Sequence, residues 1–243
     1  MEKQIIILAA GKGSRMKSDL PKVMHRVGSQ TMLQRVIESC RQVSDDLILV
    51  YSDNLKPFIA EYKNVCKFAK QEHLMGTASA VAAAKDLIDP KKHIGVIYAD
   101  NPLISSDIIN NLFNHLIKSK SDLITLAFEC KPPNQYGRII VNDQGEFVKI
   151  IEAKFANSKE EQITLCNSGI MAFTPGTLTK YLPQILQVNY DLPNRELYLT
   201  DIIEVCYKAG MKATYYKASK AELVVGVNTQ EELRNANDIL ANF

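Results

Sequence analysis

Glycines, cations and hydroxyls crowd one short stretch of this chain. Gly11, Lys12, Gly13, Ser14 and Arg15 follow an apolar run from Ile5 to Ala10, and Leu20-Pro21-Lys22 comes a few residues later. Glycine lets a backbone turn sharply and approach a ligand without a Cβ in the way. Backbone N–H groups leaving a strand end suit phosphate, and Lys12, Arg15 and Lys22 add three cations that favour a polyanion over a neutral sugar. The loop reads as a phosphate-handling turn. It is neither of the two common ones: Met16 stands where a dinucleotide fingerprint needs its third glycine, and no Walker motif is present. Asp100 follows a second apolar run, where a hard oxygen suits Mg²⁺ beside a nucleotide phosphate; read alone, it is equally a turn or capping aspartate. Asn228, in Gly226-Val227-Asn228, reads alone as a helix cap more readily than as a ligand. The amide of Gln71 can donate and accept, as a pyrimidine edge requires, yet on its own it reads better as a surface glutamine without a role.

Composition narrows the field. With 29 basic and 27 acidic residues among 243, no nucleic-acid footprint or polybasic membrane patch is indicated. The apolar runs fall short of the roughly 18–20 residues that span a bilayer, and the N-terminus lacks a signal-peptide layout. Cys40, Cys66, Cys130, Cys166 and Cys206 are scattered without a C-x-x-C pair, as are His25, His73, His93 and His115. That pattern fits reduced thiols in a cytoplasmic protein better than a disulfide framework or a zinc site. No Ser-His or Cys-His nucleophile arrangement is visible.

The elements that must position these residues follow from periodicity. Strands are expected at Ile5–Ala10, Leu47–Tyr51, Val65–Ala69 and Ile94–Tyr98. Between them lie a helix over about 31–43, a short one near 55–62 and an alanine-rich one from the Gly76-Thr77-Ala78 loop to about Ala84. Ser105 caps a further helix with a stripe of Ile108, Ile109, Leu112 and Leu116. Such alternation gives an α/β fold with a doubly wound, mostly parallel, Rossmann-like sheet. After residue 122, short strand-like runs at Leu123–Phe128, Ile139–Val141, Phe147–Ile151 and Ile163–Phe173 suggest a smaller mixed-sheet lobe. Helices are expected near 175–186, opened by Thr174-Pro175, and from Glu196 to about Lys208, closed by Gly210. Thr229-x-x-Glu232 is a capping box for a last helix. The whole reads as one unit, 1–243: a nucleotide lobe over about 1–121, a sugar lobe over about 122–228, and a C-terminal helix over 229–243.

The string L-A-A-G-K-G-S-R-M followed by L-P-K-V-M-H resembles the signature of sugar-1-phosphate nucleotidyltransferases. It resembles in particular the uridyltransferase half of bacterial enzymes that combine N-acetylglucosamine-1-phosphate uridyltransferase and glucosamine-1-phosphate acetyltransferase. Further stretches match in order along essentially the whole chain: Gln71 to Thr77, Asp100-Asn101-Pro102-Leu103, Tyr136-Gly137-Arg138, Ile151-Glu152, Asn167-Ser168-Gly169, Glu196 to Asp201 and Gly226-Val227-Asn228. The resemblance implies the nucleotide-diphospho-sugar transferase fold. It also implies transfer of UMP from UTP to N-acetylglucosamine 1-phosphate, with Mg²⁺ held by Asp100 and Asn228 within one coordination sphere. By the same token Leu8, Ala10, Gly11, Gly13, Gln71, Gly76 and Thr77 bind nucleotide, and Gly137, Glu152, Asn167, Tyr198 and Thr200 bind sugar. Arg15, Lys22 and Asp100 are the expected catalytic groups, the two cations acting on phosphates. Read without the family, Glu152 is a solvated charge and Tyr198 a core aromatic on a helix.

Three residues depart from the family pattern: Ala99 and Ala78 replace glycines and Ser168 replaces threonine. The two alanines are expected to add methyl groups beside the ligand path. The alternatives are a same-fold transferase for another sugar 1-phosphate or another base, and a non-catalytic nucleotide-sugar binder. The expected partners are small-molecule substrates, with no nucleic acid or membrane. The chain ends at Phe243 without hexapeptide repeats, so no acetyltransferase activity and no repeat-built trimer are expected, only a monomer or small oligomer.

Overall fold

The structure, a computed structural model, describes residues 1–187 and 196–242. The first strand, β1 (Lys3–Leu8), leads through the glycine loop to a two-residue hairpin of β2 (Arg26–Val27) and β3 (Gln30–Thr31). Then come α1 (Met32–Arg41), β4 (Leu47–Tyr51), β5 (Cys66–Lys70), α2 (Thr77–Ala83), β6 (His93–Tyr98) and α3 (Ser106–Lys118). The second half runs β7 (Leu123–Glu129), β8 (Arg138–Val141), β9 (Phe147–Ile151), β10 (Leu165–Phe173), α4 (Thr177–Gln187), α5 (Ile202–Lys208), β11 (Ala213–Lys217) and α6 (Gln230–Ala241).

A sheet in the order β11-β7-β10-β6-β1-β4-β5 forms the middle, with β8 and β9 branching from β10. β1 is parallel to both β4 and β6, while β10 runs antiparallel between β6 and β7. The mostly parallel α/β architecture expected from the sequence is therefore present. Ile5, Ile6 and Ile7 are completely buried because both faces of the sheet are covered. Strand alternation sends Ile5 and Ile7 toward Leu33 and Val36 of α1 and Leu112 of α3. Ile6 and Leu8 point to the other core, built with Val81 of α2, Leu178 of α4 and Ile202 of α5.

Several expected elements shift for identifiable reasons. The α3 stripe uses fully buried Phe113, with Ile108 only half-buried. Near 55–62 the chain makes two 3₁₀ turns, Lys56–Phe58 and Ala60–Tyr62. α4 starts at Thr177, two residues beyond Pro175; the Thr174 hydroxyl donates to Asp122 O (3.0 Å). The helix expected from Glu196 starts only with a 3₁₀ turn at Leu199. Upstream, Leu197 is held in a ladder with the loop before α2: its N–H donates to Met75 O (2.6 Å) and its carbonyl accepts from Ala78 N (2.9 Å). The edge strand β11 and the β2–β3 hairpin carried no readable signal. Cys40, Cys66, Cys130, Cys166 and Cys206 are all free thiols. Among the described residues no helix is long and apolar enough to cross a membrane.

Candidate active site

β1 delivers the glycine loop to the carboxyl end of the sheet. Gly13 has φ +62°, and a Cβ there would lie 2.5 Å from the Lys22 Cβ, so the loop and the Lys22 turn pack too closely for a side chain. Met16, fully buried, anchors the following 3₁₀ turn, and Gln230 of α6 donates to its carbonyl at 3.1 Å.

Lys22 is the centre of the arrangement. Its ammonium donates to Asp100 Oδ2 and to Asn228 Oδ1, the latter at 2.9 Å. The Lys22 and Asp100 side chains are only 11% and 17% exposed. Asp100 stands just beyond β6, and Asn228 immediately precedes the cap of α6. Two bonds fasten their segments together: Val227 N donates to Asp100 O (2.8 Å), and the buried Asn101 amide donates to Val224 O (2.7 Å). The capping box seen in the sequence is formed, and the Glu232 carboxylate also accepts from Asn228 N at 2.5 Å. Asn228 Nδ2 donates to Gly226 O (3.3 Å), which turns Oδ1 toward the cation. A carboxylate and a carboxamide oxygen thus converge on one cationic nitrogen. That donor set fits Mg²⁺, which takes one or two protein oxygens and completes its shell with water and phosphate.

This cluster lines the smaller of two adjoining cavities, and its Asn228 also lines the larger. The smaller, about 520 Å³, is lined by Leu8, Ala10, Gly11, Lys12, Gln71, Gly76, Thr77 and Tyr98, among others. Arg15 and Asn228 line both it and a larger cavity of about 890 Å³ that includes Tyr136, Glu152, Lys154 and Tyr198. Gln71 is no surface residue. It is 6% exposed, and its Nε2 donates to His73 O, Gly76 O and Ser79 Oγ, each at 3.2 Å, so it ties down the loop it belongs to. Thr77 Oγ1 accepts from Leu199 N at 2.8 Å, joining that loop to the second half of the chain.

On the side formed by the second half of the chain, Glu152 is mostly buried, not a solvated charge. Its Oε1 accepts from the Thr200 hydroxyl at 2.7 Å. Gly137 packs behind it, and Asn167 N donates to Gly137 O at 2.8 Å. Tyr198 is extended and half-buried before the 3₁₀ turn, with its hydroxyl on Glu196 Oε2 (2.5 Å). Lys154, which sequence reasoning passed over, places its Nζ 5.1 Å from the Tyr198 ring centre and 3.7 Å from Glu196 Oε2. Its neighbour Glu152 was legible only as part of a motif.

Burial raises the Glu152 pKa above its ordinary 4.5, with Asp201 and Glu196 adding to the effect and the Thr200 hydrogen bond opposing it. The folded chain therefore holds this proton more tightly than the unfolded chain. Stability is lost as pH rises from the ordinary carboxylate range through the raised value. Glu152→Gln is expected to melt higher than the parent near pH 7, with the difference closing toward pH 4. A gap in thermal midpoint that does not change with pH would contradict this.

Residues 5–163 match the MobA-like NTP transferase domain. The chain belongs to this family of NTP transferases. The bifunctional protein GlmU of Gluconobacter oxydans is 39% identical over 235 residues, covering 97% of this chain and 51% of that protein. GlmU of Clostridioides difficile is 35% identical over 244 residues, covering 99% and 52%. The chain thus spans about half the length of the curated relatives it matches. Among solved structures, UDP-glucose pyrophosphorylase complexed with UDP-glucose superposes with TM-score 0.76 at 20% identity, covering 100% of this chain and 99% of the other. The 4-diphosphocytidyl-2C-methyl-D-erythritol synthase of Anaerococcus prevotii gives 0.68 at 17%, covering 99% and 98%. These two likenesses establish the fold of this NTP transferase.

The departures at Ala78 and Ala99 do not reach its cleft. Both are completely buried, Ala78 among the core of α2 and Ala99 among that of α1 and α3. Their methyl groups pack inward, contrary to the expectation that they crowd the ligand path. Ser168 is likewise turned away, donating to Leu126 O at 2.7 Å.

Proposed function

We propose that this NTP transferase moves UMP from UTP to N-acetylglucosamine 1-phosphate, giving UDP-N-acetylglucosamine and pyrophosphate. The observation that carries the reading is the convergence of Lys22, Asp100 and Asn228 in the smaller cavity, where Asn228 and Arg15 adjoin the larger one. The likeness to GlmU proteins along nearly the whole chain supports this choice of substrates. In this reading residues 1–121 hold the nucleotide, with Gln71, Gly76 and Thr77 at the uracil. Residues 122–228 hold the sugar, with Glu152, Asn167, Gly137, Tyr198 and Thr200 around its hydroxyls.

A sugar-phosphate oxygen attacks the α-phosphorus of UTP, a new P–O bond forms, and the bond to pyrophosphate breaks. Such chemistry depends on positioning and on neutralising charge rather than on a protein nucleophile. Arg15, on the wall common to both cavities, pairs with the leaving β- and γ-phosphates, and Lys22 with the reacting ones. Asp100 and Asn228 would hold Mg²⁺, which supplies charge neutralisation on the phosphate oxygens. Glu152, braced by Thr200, orients the sugar.

The test is a pyrophosphate-release assay over the four common triphosphates, with N-acetylglucosamine 1-phosphate and its glucose and galacto analogues. UTP is expected to exceed ATP and GTP in kcat/KM by roughly tenfold or more, the scale set by leaving one buried polar group unpaired. Equal turnover with a purine triphosphate would remove the base assignment. Preference for glucose 1-phosphate would move the sugar assignment.

A further inference from the structure

We propose that Lys22 also keeps free divalent metal out of the Asp100–Asn228 position, so that metal enters together with the triphosphate. The inference rests on the reading of Asp100 and Asn228 as metal ligands. Its starting point is that the ammonium of Lys22 already satisfies both oxygens at once, Asp100 Oδ2 and Asn228 Oδ1. A divalent ion using those same two oxygens would lie within a few ångströms of that nitrogen, about a metal–oxygen bond from each donor. Two cations cannot share so small a space, and the surroundings leave little solvent to screen them.

The displaced ammonium has somewhere to go. Lys22 also lines the smaller cavity, beside Gly11, Lys12 and Arg15, where a triphosphate would present a dense negative charge. Its stem is fixed by the close approach to Gly13, so the flexible end alone needs to move. A bound triphosphate would draw the ammonium off the two oxygens and free them for the metal. Without nucleotide, Lys22 instead neutralises a mostly buried Asp100 and holds Asn228 in place. Nucleotide and metal then bind cooperatively, and the triphosphate with its metal is the entity the cleft accepts.

The probe is Mn²⁺, with the ion bound to the chain measured by electron paramagnetic resonance against the same Mn²⁺ and UTP mixtures lacking protein, without and with UTP. The intact chain should take up Mn²⁺ at this site only with UTP present. Lys22→Met, which keeps the length and removes the charge, should bind Mn²⁺ alone roughly tenfold or more tightly than the parent, the scale on which one adjacent charge moves a site's affinity for a proton. Lys22→Arg should behave like the parent, and adding Asp100→Asn to Lys22→Met should abolish the gain. Thermal midpoints check that each variant folds, with Lys22→Gln replacing Lys22→Met should that one fail. If the neutral variant binds free Mn²⁺ no better than the parent, while Asp100→Asn still removes UTP-dependent uptake, the gating role falls and the ligand assignment stands. If Asp100→Asn leaves UTP-dependent uptake unchanged, the ligand assignment falls and takes this inference with it.

Discussion

Replacing Asp100 by alanine is expected to lower turnover by roughly 10²-fold or more, the scale seen when one transition-state electrostatic contact is removed. Asp100 brings a formal charge to the cation position, whereas Asn228 brings a neutral carbonyl oxygen. Asn228→Ala should therefore be milder, and raised Mg²⁺ should restore part of its activity. The structure adds a reason for the asymmetry. Asn228 is held by its backbone through Glu232 and Val227, so the proposed metal position would keep its shape when the carboxamide is lost. Steady-state rates measured over a Mg²⁺ titration separate the two variants. Equal losses that metal cannot rescue in either would contradict the division of roles.

Gly76→Ala is expected to be severe in a different way. Gly76 has φ +114° and ψ −176°, a region that essentially only glycine occupies. A Cβ there would lie 2.5 Å from Leu197 O and 2.7 Å from Leu197 N, on the ladder that joins the two halves of the chain. The variant must accept about 1–3 kcal/mol of backbone strain. It must also give up one or both ladder bonds, each worth about 1 kcal/mol. The denaturation midpoint should fall, and KM for UTP should rise roughly tenfold as Thr77 and the Gln71 loop shift, one misplaced contact being worth about that much. An unchanged midpoint together with an unchanged KM would show that this loop is not held as described.

The contrast between these two sites says what a sequence can and cannot reveal. The position of Asp100 was legible because a buried strand and its end are local features; its partners Lys22 and Val227 come from far along the chain, and its role was suggested only by the resemblance. The Thr229–Glu232 capping box was legible for the same reason, since its partners lie within one helical turn. Read alone, Gln71 looks like a surface residue, because its burial comes from folding back onto His73, Gly76 and Ser79, which no periodicity announces. Glu196 to Tyr198 carries a helical pattern, yet its backbone is claimed by Met75 and Ala78, more than a hundred positions away. The inward direction of Ala78 and Ala99 depends on which sheet face each element packs against, and one sequence does not supply that.

The reaction itself can be watched most directly by phosphorus NMR. The purified chain is mixed with UTP, N-acetylglucosamine 1-phosphate and Mg²⁺. Paired diphosphate resonances of UDP-N-acetylglucosamine should grow together with free pyrophosphate in one-to-one proportion, and Asp100→Ala should slow both alike. Spectra that stay unchanged, or pyrophosphate that appears without the sugar nucleotide, would contradict the proposed transfer.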